Sequence, residues 1–304
     1  MAGVARRRTA GGAVSARRIW LKRAAALLGT GLLPLSHAAH PAPPGLTRVV
    51  SVGGDVTEIV CALGAEQCLV GVDSTSTHPA SLNGLPVVGY MRALSAEGVL
   101  SLAPQVVLAA SQAGPPVVLR QLADAGVKVV RVPAGYSFES LLAKLDVVAE
   151  ALALQHAGEA LAAELNARWQ ECTALVAQLR ARRAQAPRVM YIMAHGNAVM
   201  VSGTQTGADA VIGLAGGRNA LEAMEGYKPL SAEAVVAAAP DVIVVSREGL
   251  EMAGGVEGVL AMPGVAMTPA GRAGRVEAFD AVFLLGFGPR LPEAVSALAT
   301  ALGR

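Results

Sequence analysis

The segment Gly89-Tyr90-Met91-Arg92-Ala93-Leu94-Ser95-Ala96-Glu97 has a near copy at Gly226-Tyr227-Lys228-Pro229-Leu230-Ser231-Ala232-Glu233. Each copy runs on through a Pro into a β-branched stretch, Pro104 to Val106 and Val107 in the first, Pro240 to Val242 and Ile243 in the second. In both, the Pro lies seven residues beyond the Glu. A short identity arises by chance; one that keeps Gly-Tyr ahead of it and a Pro-strand behind it does not. Recurrence in fixed order at wide spacing marks a duplicated supersecondary unit. It predicts two lobes whose equivalent loops lie opposite each other, the place where ligands tend to bind.

Strands and helices alternate on both sides of a helical stretch. Arg48 to Val52 reads as a strand, with Asp55 as N-cap of the next helix and Glu58 three residues on. Leu69 to Val72, a short piece at Val87 and Val88, Val106 to Ala110 and Val127 to Val132 read as further strands. Ser95 caps a short helix and Pro115 opens another that ends at Gly126. Strands alternating with helices argue for a parallel α/β sheet. From Ser137 to Arg183, apolar residues from Ala157 through Leu161, Leu165, Trp169, Cys172 and Val176 recur at three or four positions, the pattern of one long amphipathic helix. Pro187 starts the second lobe, with strands at Arg188 to Met193, Val199 to Val201, Val242 to Val245 and Arg275 to Ala278. Helices follow at Asp209 to Leu214, from Ser231, and from Pro292 to Leu302. The resulting division is 1–38, 46–136, 137–186 and 187–304. A helical connector is stiff, so only modest lobe movement is expected.

Residues 1–38 carry Arg6, Arg7, Arg8, Arg17, Arg18, Lys22 and Arg23 and no acid, followed by an apolar run from Ala24 to Leu35 and a small-residue exit at Ser36-His37-Ala38. This is the layout of an export signal. Ala16-Arg17-Arg18-Ile19-Trp20-Leu21-Lys22 resembles a twin-arginine motif, with an ordinary secretory signal as the alternative. Without those seven cations the body holds 18 basic residues against 23 acidic, a net charge of −5. Such a body is a poor polyphosphate binder, and no nucleic acid partner is expected. Cys61, Cys68 and Cys172 show no metal-ligand spacing and read as small hydrophobes, a Cys61 to Cys68 bridge being left open.

The chain resembles the periplasmic substrate-binding proteins of haem-uptake ABC transporters, within a class that also carries siderophores and cobalamin. The resemblance rests on Ser51-Val52-Gly53-Gly54-Asp55-Val56-Thr57-Glu58-Ile59, on Ala62-Leu63-Gly64-Ala65 and on Leu69-Val70-Gly71-Val72-Asp73-Ser74-Thr75. It continues in Val88-Gly89-Tyr90-Met91-Arg92, Ser202-Gly203-Thr204, the Gly226 to Ser231 segment and Leu284-Leu285-Gly286-Phe287-Gly288-Pro289-Arg290. Thr-Glu-Ile and Ala-Leu-Gly are common to the class; Gly-Tyr-Met-Arg and Gly-Phe-Gly-Pro-Arg point to the haem branch. The resemblance implies a class III fold: two Rossmann-like α/β lobes joined by a long connecting α-helix.

It also implies a role for each candidate residue. Tyr90 would ligate ferric haem b as transported cargo, a phenolate being a hard oxygen donor suited to Fe(III), with Arg92 favouring the deprotonated form. Tyr227 would stack on the macrocycle or bond a propionate, and Lys228 would pair with a propionate. His195, at the end of the first strand of the second lobe, is a candidate second ligand where two haems stack. Glu97 and Glu233 would dock onto Arg residues of an inner-membrane ABC permease dimer with its ATPase, with Glu66 and Glu225 as alternatives. The carrier itself would be a soluble periplasmic monomer without catalytic turnover, touching the membrane only through the permease. Several His with carboxylates, as zinc or manganese carriage requires, are in short supply. A secreted hydrolase using Ser202 or Ser246 with His195 is the remote alternative, since neither Ser has a Gly-x-Ser-x-Gly setting.

Overall fold

The computed structural model describes residues 47–304 except 196 and 197, and side chains except those of residues 194–198; the export signal read at 1–38 lies outside the described residues. The first lobe contains β1 (Val49–Val52), α1 (Gly54–Ala62), β2 (Leu69–Val72), α2 (Ala96–Leu100), β3 (Val106–Ala110), α3 (Pro116–Asp124) and β4 (Lys128–Val132). Its sheet runs β2-β1-β3-β4, all parallel. β1 and β3 are buried along their whole length, which is why they read as continuous apolar runs: helices cover both faces of the sheet. Val87 makes only an isolated bridge to Val72, so the short third strand is absent.

Two helices follow, α4 (Phe138–Ala151) and α5 (Gln155–Ala181), where the periodicity predicted one. The break is a Schellman turn: Leu154 N–H donates to the Ala149 carbonyl and Ala153 N–H to that of Glu150. Ala153 occupies the left-handed position at φ 57, where Gly is usual. Leu152 and Leu154 both stay packed on the core, so the apolar spacing runs through the break unmarked.

The second lobe contains β5 (Arg188–His195), β6 (Ala198–Ser202), α6 (Gly207–Leu214), β7 (Arg218–Asn219), β8 (Tyr227–Pro229), α7 (Ala232–Ala238), β9 (Val242–Ser246), α8 (Arg247–Met252), α9 (Val256–Leu260), α10 (Pro269–Ala273), β10 (Val276–Phe279), α11 (Ala281–Leu285) and α12 (Leu291–Leu302). The sheet runs β10-β9-β5-β6-β8, parallel through β5 and antiparallel beyond it. One hydrophobic cluster passes through both lobes and the helices between them, from Val49 and Val60 through Leu145 and Leu165 to Val189 and Leu298. Smaller clusters fill the outer face of each sheet.

The duplication is visible in backbone detail. Ser95 and Ser231 cap α2 and α7, accepting from Gly98 N–H at 3.3 Å and Ala234 N–H at 3.2 Å. Val99 and Val235 are fully buried beneath. Ala103 and Ala239 then take the left-handed conformation at φ 44 and φ 42, each directly before the repeated Pro. A non-glycine residue there is strained, and the same strain at the same step of two lobes identifies one unit used twice.

Candidate functional site

The cleft opens at the carboxyl ends of the first lobe's strands, where α/β sheets present ligand groups. Gly54, Asp55, Thr75, Met91, Gln112 and the loop Pro133 to Tyr136 line it from the first lobe; Lys144 comes from α4, and Val282, Leu285 and Gly286 from the second. Buried Asp73 fixes the floor, accepting from Gly53 N–H at 2.9 Å, Thr75 Oγ1 at 2.7 Å and Ser76 Oγ at 2.9 Å. At Gly54 a Cβ would stand 2.6 Å from the Thr75 carbonyl oxygen and 2.8 Å from Val282 Cγ1. The absence of a side chain lets the two lobes approach.

Asp55 and Glu58 do not form the expected capping box. Gly53 is the N-cap, and both acids turn toward cations instead. Lys144 Nζ lies 2.6 Å from Asp55 Oδ2 and reaches the Phe287 carbonyl at 3.3 Å. Arg290 binds Glu58 in a fork, Nε to Oε2 at 2.9 Å and Nη2 to Oε1. Glu58 is 6% exposed and Arg290 26%. Burial raises the Glu58 pKa against the pull of Arg290 and would lower that of Arg290, where the hydrogen bond and charge of Glu58 win; the two-bond fork favours the ionised pair. The Thr-Glu motif of one lobe and the Gly-Phe-Gly-Pro-Arg motif of the other are thus the two halves of one inter-lobe clamp. Local spacing had singled out only Glu58, as a capping-box acid, and a pairing across 232 residues leaves no local spacing to read.

Met91 of the first Gly-Tyr segment lines the cleft, and the Arg92 charge reaches Tyr227 of the second. Tyr90 is 45% exposed. Arg92 is exposed, and its Nη2 donates to Gln112 Oε1. Tyr227 sits on the short strand β8 rather than on a loop, opposite Ser202 in the register. Burial, first, and then Tyr136 push its phenol pKa up, while Thr206, Ser202 and the charge of Arg92 pull it down. Arg92 of the first lobe therefore acts across the cleft on Tyr227 of the second. Tyr136, which the sequence reading passed over, joins them: its ring lies 5.3 Å from that of Phe287. Tyr191 is buried on β5, its phenol pushed up by burial. Of the four tyrosines of the chain, Tyr136 lines the cleft, and no motif in the sequence marks it.

The remaining candidates are more dispersed. Lys228 is exposed and follows Tyr227 on a strand, so it projects to the opposite face. His195 ends β5, and its side chain lies outside the described residues. Glu97 and Glu233 are exposed in the first turns of α2 and α7; Glu66 is half-buried and Glu225 exposed. Ser202 is fully buried with its hydroxyl 2.6 Å from Thr206 Oγ1, and Ser246 caps α8, so neither is presented as a nucleophile. The three cysteines are free, and burial raises the Cys61 thiol pKa to about 12. Among the described residues no group of His, Cys, Asp and Glu is placed to hold a metal ion.

Residues 49–282 match the family model described as Periplasmic binding protein. Among solved structures, the periplasmic heme-binding protein BhuT in complex with two hemes is 47% identical, covering 84% of this chain and 97% of that one at a TM-score of 0.80. The apo periplasmic heme-binding protein RhuT from Roseiflexus sp. RS-1 is 42% identical, with coverage of 85% and 98% and a TM-score of 0.81. A vitamin B12-binding protein of Yersinia pestis is 29% identical over 228 residues, 74% of this chain and 76% of its own length.

Proposed function

The chain belongs to the periplasmic binding protein family, and from that premise we propose that it captures ferric haem b between its lobes and delivers it to an inner-membrane ABC importer. The observation that carries this reading is the cleft itself. Met91 lines it, flanked in sequence by exposed Tyr90 and by Arg92, and the Arg92 charge reaches Tyr227 of the other lobe, while partly buried ion pairs clamp the lobes together. Its 47% likeness to a protein that binds two hemes supports the cargo.

In this reading Tyr90 is the iron ligand. Its phenol is accessible, and Fe(III) itself favours loss of the proton. Arg92, already beside the cleft, stabilises the phenolate and is free to swing from Gln112 to the iron-bound oxygen. Tyr227, whose proton burial retains, stacks on the macrocycle. Lys228 reaches a propionate over the rim on its four-carbon stem, and His195 is the candidate for a second haem. The carrier performs no chemistry on its cargo, works as a periplasmic monomer after twin-arginine export, and docks through Glu97 and Glu233. The unit boundaries 46–136, 137–186 and 187–304 belong to the same proposal.

Titration of the purified protein with hemin tests the cargo. A saturable high-spin, tyrosinate-type absorption spectrum is expected. The 29% likeness to a vitamin B12-binding protein favours cobalamin as the second reading. Saturable binding of cyanocobalamin with no hemin spectrum would replace haem by that cargo.

A further inference from the structure

At the end of the second lobe away from the cleft, arginines gather without acids to match them. Arg183 lies just past the end of α5, Arg188 is the first residue of β5, and Arg275 directly precedes β10. With Asp241 and Arg304 they line a recess of about 460 Å³. β10 starts at this recess and leads to α11, whose Val282 and Leu285 line the cleft, so a whole strand separates the two places.

Two of the three arginines have a structural duty. Arg183 Nη2 donates to the Ala299 carbonyl at 3.1 Å, and Arg275 Nη2 to that of Ala301 at 3.3 Å. Both carbonyls belong to the last turn of α12, whose C-terminal end favours cations. That duty uses one donor on each guanidinium and leaves the rest unspent. It does not balance the charge either, since a helix end carries only about half a unit. Arg188 is less engaged still: its Nη2 reaches the Ala220 carbonyl only at 3.4 Å, and its Nε is buried with no hydrogen-bond partner. Asp241 is the one acid lining the recess, and its Oδ2 already accepts from the Arg188 main-chain N–H at 2.8 Å. Among the described residues none of the three arginines lies in an ion pair. All three are half-buried. Burial, first, and then the charge of Arg275 pull the Arg183 pKa below the usual arginine value, so these cations are close enough to repel each other. Three positive charges against one negative leave a surplus of two.

We propose that this recess binds a dianionic phosphate group, free or as the monoester end of a small molecule, between Arg183, Arg188 and Arg275. Guanidinium forks match phosphate oxygens in geometry as well as in charge. A dianion cancels the surplus and supplies acceptors for the unspent donors. The recess falls within the ~300–1,000 Å³ of small-molecule sites, which leaves room beside the phosphate for the rest of a monoester. Its distance from the cleft makes it independent of the cargo.

Calorimetric titration of the purified protein with inorganic phosphate and with glycerol 3-phosphate tests this, at about pH 8, where the monoester is dianionic, and at constant ionic strength held by chloride. Saturable binding of at least one is expected. Tighter binding of the ester makes a phosphorylated small molecule the source, and tighter binding of the ion makes it free phosphate. Arg188→Gln is expected to weaken binding about tenfold, the loss of one charge-assisted bond. Asp241→Asn, which removes the competing charge, is expected to strengthen it, a gain that misfolding cannot produce. No saturable binding of either anion by the wild-type protein overturns the proposal. Binding that is the same in both variants as in wild type also overturns it, since the phosphate would then sit elsewhere. Neither outcome touches the haem reading, which hemin titration tests at the other end of the lobe.

Discussion

Residues 89–110 and 226–246 pass through the same steps and end in different chemistry. Both place a left-handed Gly before a Tyr, at φ 101 and φ 70. Both then cap a short helix with Ser, bury a Val, strain an Ala and enter a buried strand. The Tyr residues diverge because the chain around them diverges. Pro229 follows Tyr227 closely, and β8 pairs with β6 and seats the ring over Ser202 and Thr206. Tyr90 precedes Met91-Arg92-Ala93, has no strand partner of that kind, and remains 45% exposed. A duplicated frame carries two phenols, and local pairing decides how far each is buried.

Lys144 and Arg290 clamp the lobes that carry the two copies, so breaking the clamp should have the largest effect. Glu58→Ala leaves Arg290 without its carboxylate beside the core and is expected to lower stability by about 3 kcal/mol. Replacing both Glu58 and Arg290 by Leu is expected to recover much of that loss. Urea unfolding curves of the two variants measure the difference; equal losses would mean that the pair does not act as a unit.

Each Ser cap contributes about 1 kcal/mol. Ser95→Ala and Ser231→Ala are therefore expected to destabilise equally, read by thermal unfolding. A large inequality would show that the frames are less alike than their backbones.

The smallest effect is alkaline. Tyr227 and Tyr191 have phenol pKa values raised in the folded state, first by burial. For a raised acid the stabilising contribution is complete below the unfolded value of about 10 and is lost as pH rises through the folded value. Tyr227→Phe should remove one late-ionising phenol from the absorbance titration above about pH 10. It should also make the alkaline loss of stability shallower. No change in the late amplitude would mean that Tyr227 is more open to solvent than its burial implies.

Much of this arrangement is legible in the sequence, and what is not has physical causes. The repeat announced two lobes because duplication preserves local signals: caps, Pro and β-branched runs. The helix break at Ala153 escaped because Ala, not Gly, fills the left-handed position and the flanking Leu residues keep the apolar rhythm. Asp55 and Glu58 had the spacing of a capping box, yet Lys144 and Arg290 compete for them from distant parts of the chain. Tyr136 carries no motif at all; its place in the cleft comes from the turn after β4 and from Phe287 beneath it.

The divergence of the two tyrosines is tested most directly by one hemin titration, followed by absorption, of the wild-type protein, Tyr90→Phe and Tyr227→Phe. Tyr90→Phe is expected to lose the tyrosinate spectrum and to weaken hemin binding by about 100-fold, ~2.7 kcal/mol. Tyr227→Phe is expected to keep the spectrum and bind within about tenfold of wild type. A tyrosinate spectrum that survives in Tyr90→Phe and vanishes in Tyr227→Phe would move the iron to the second lobe and contradict the account.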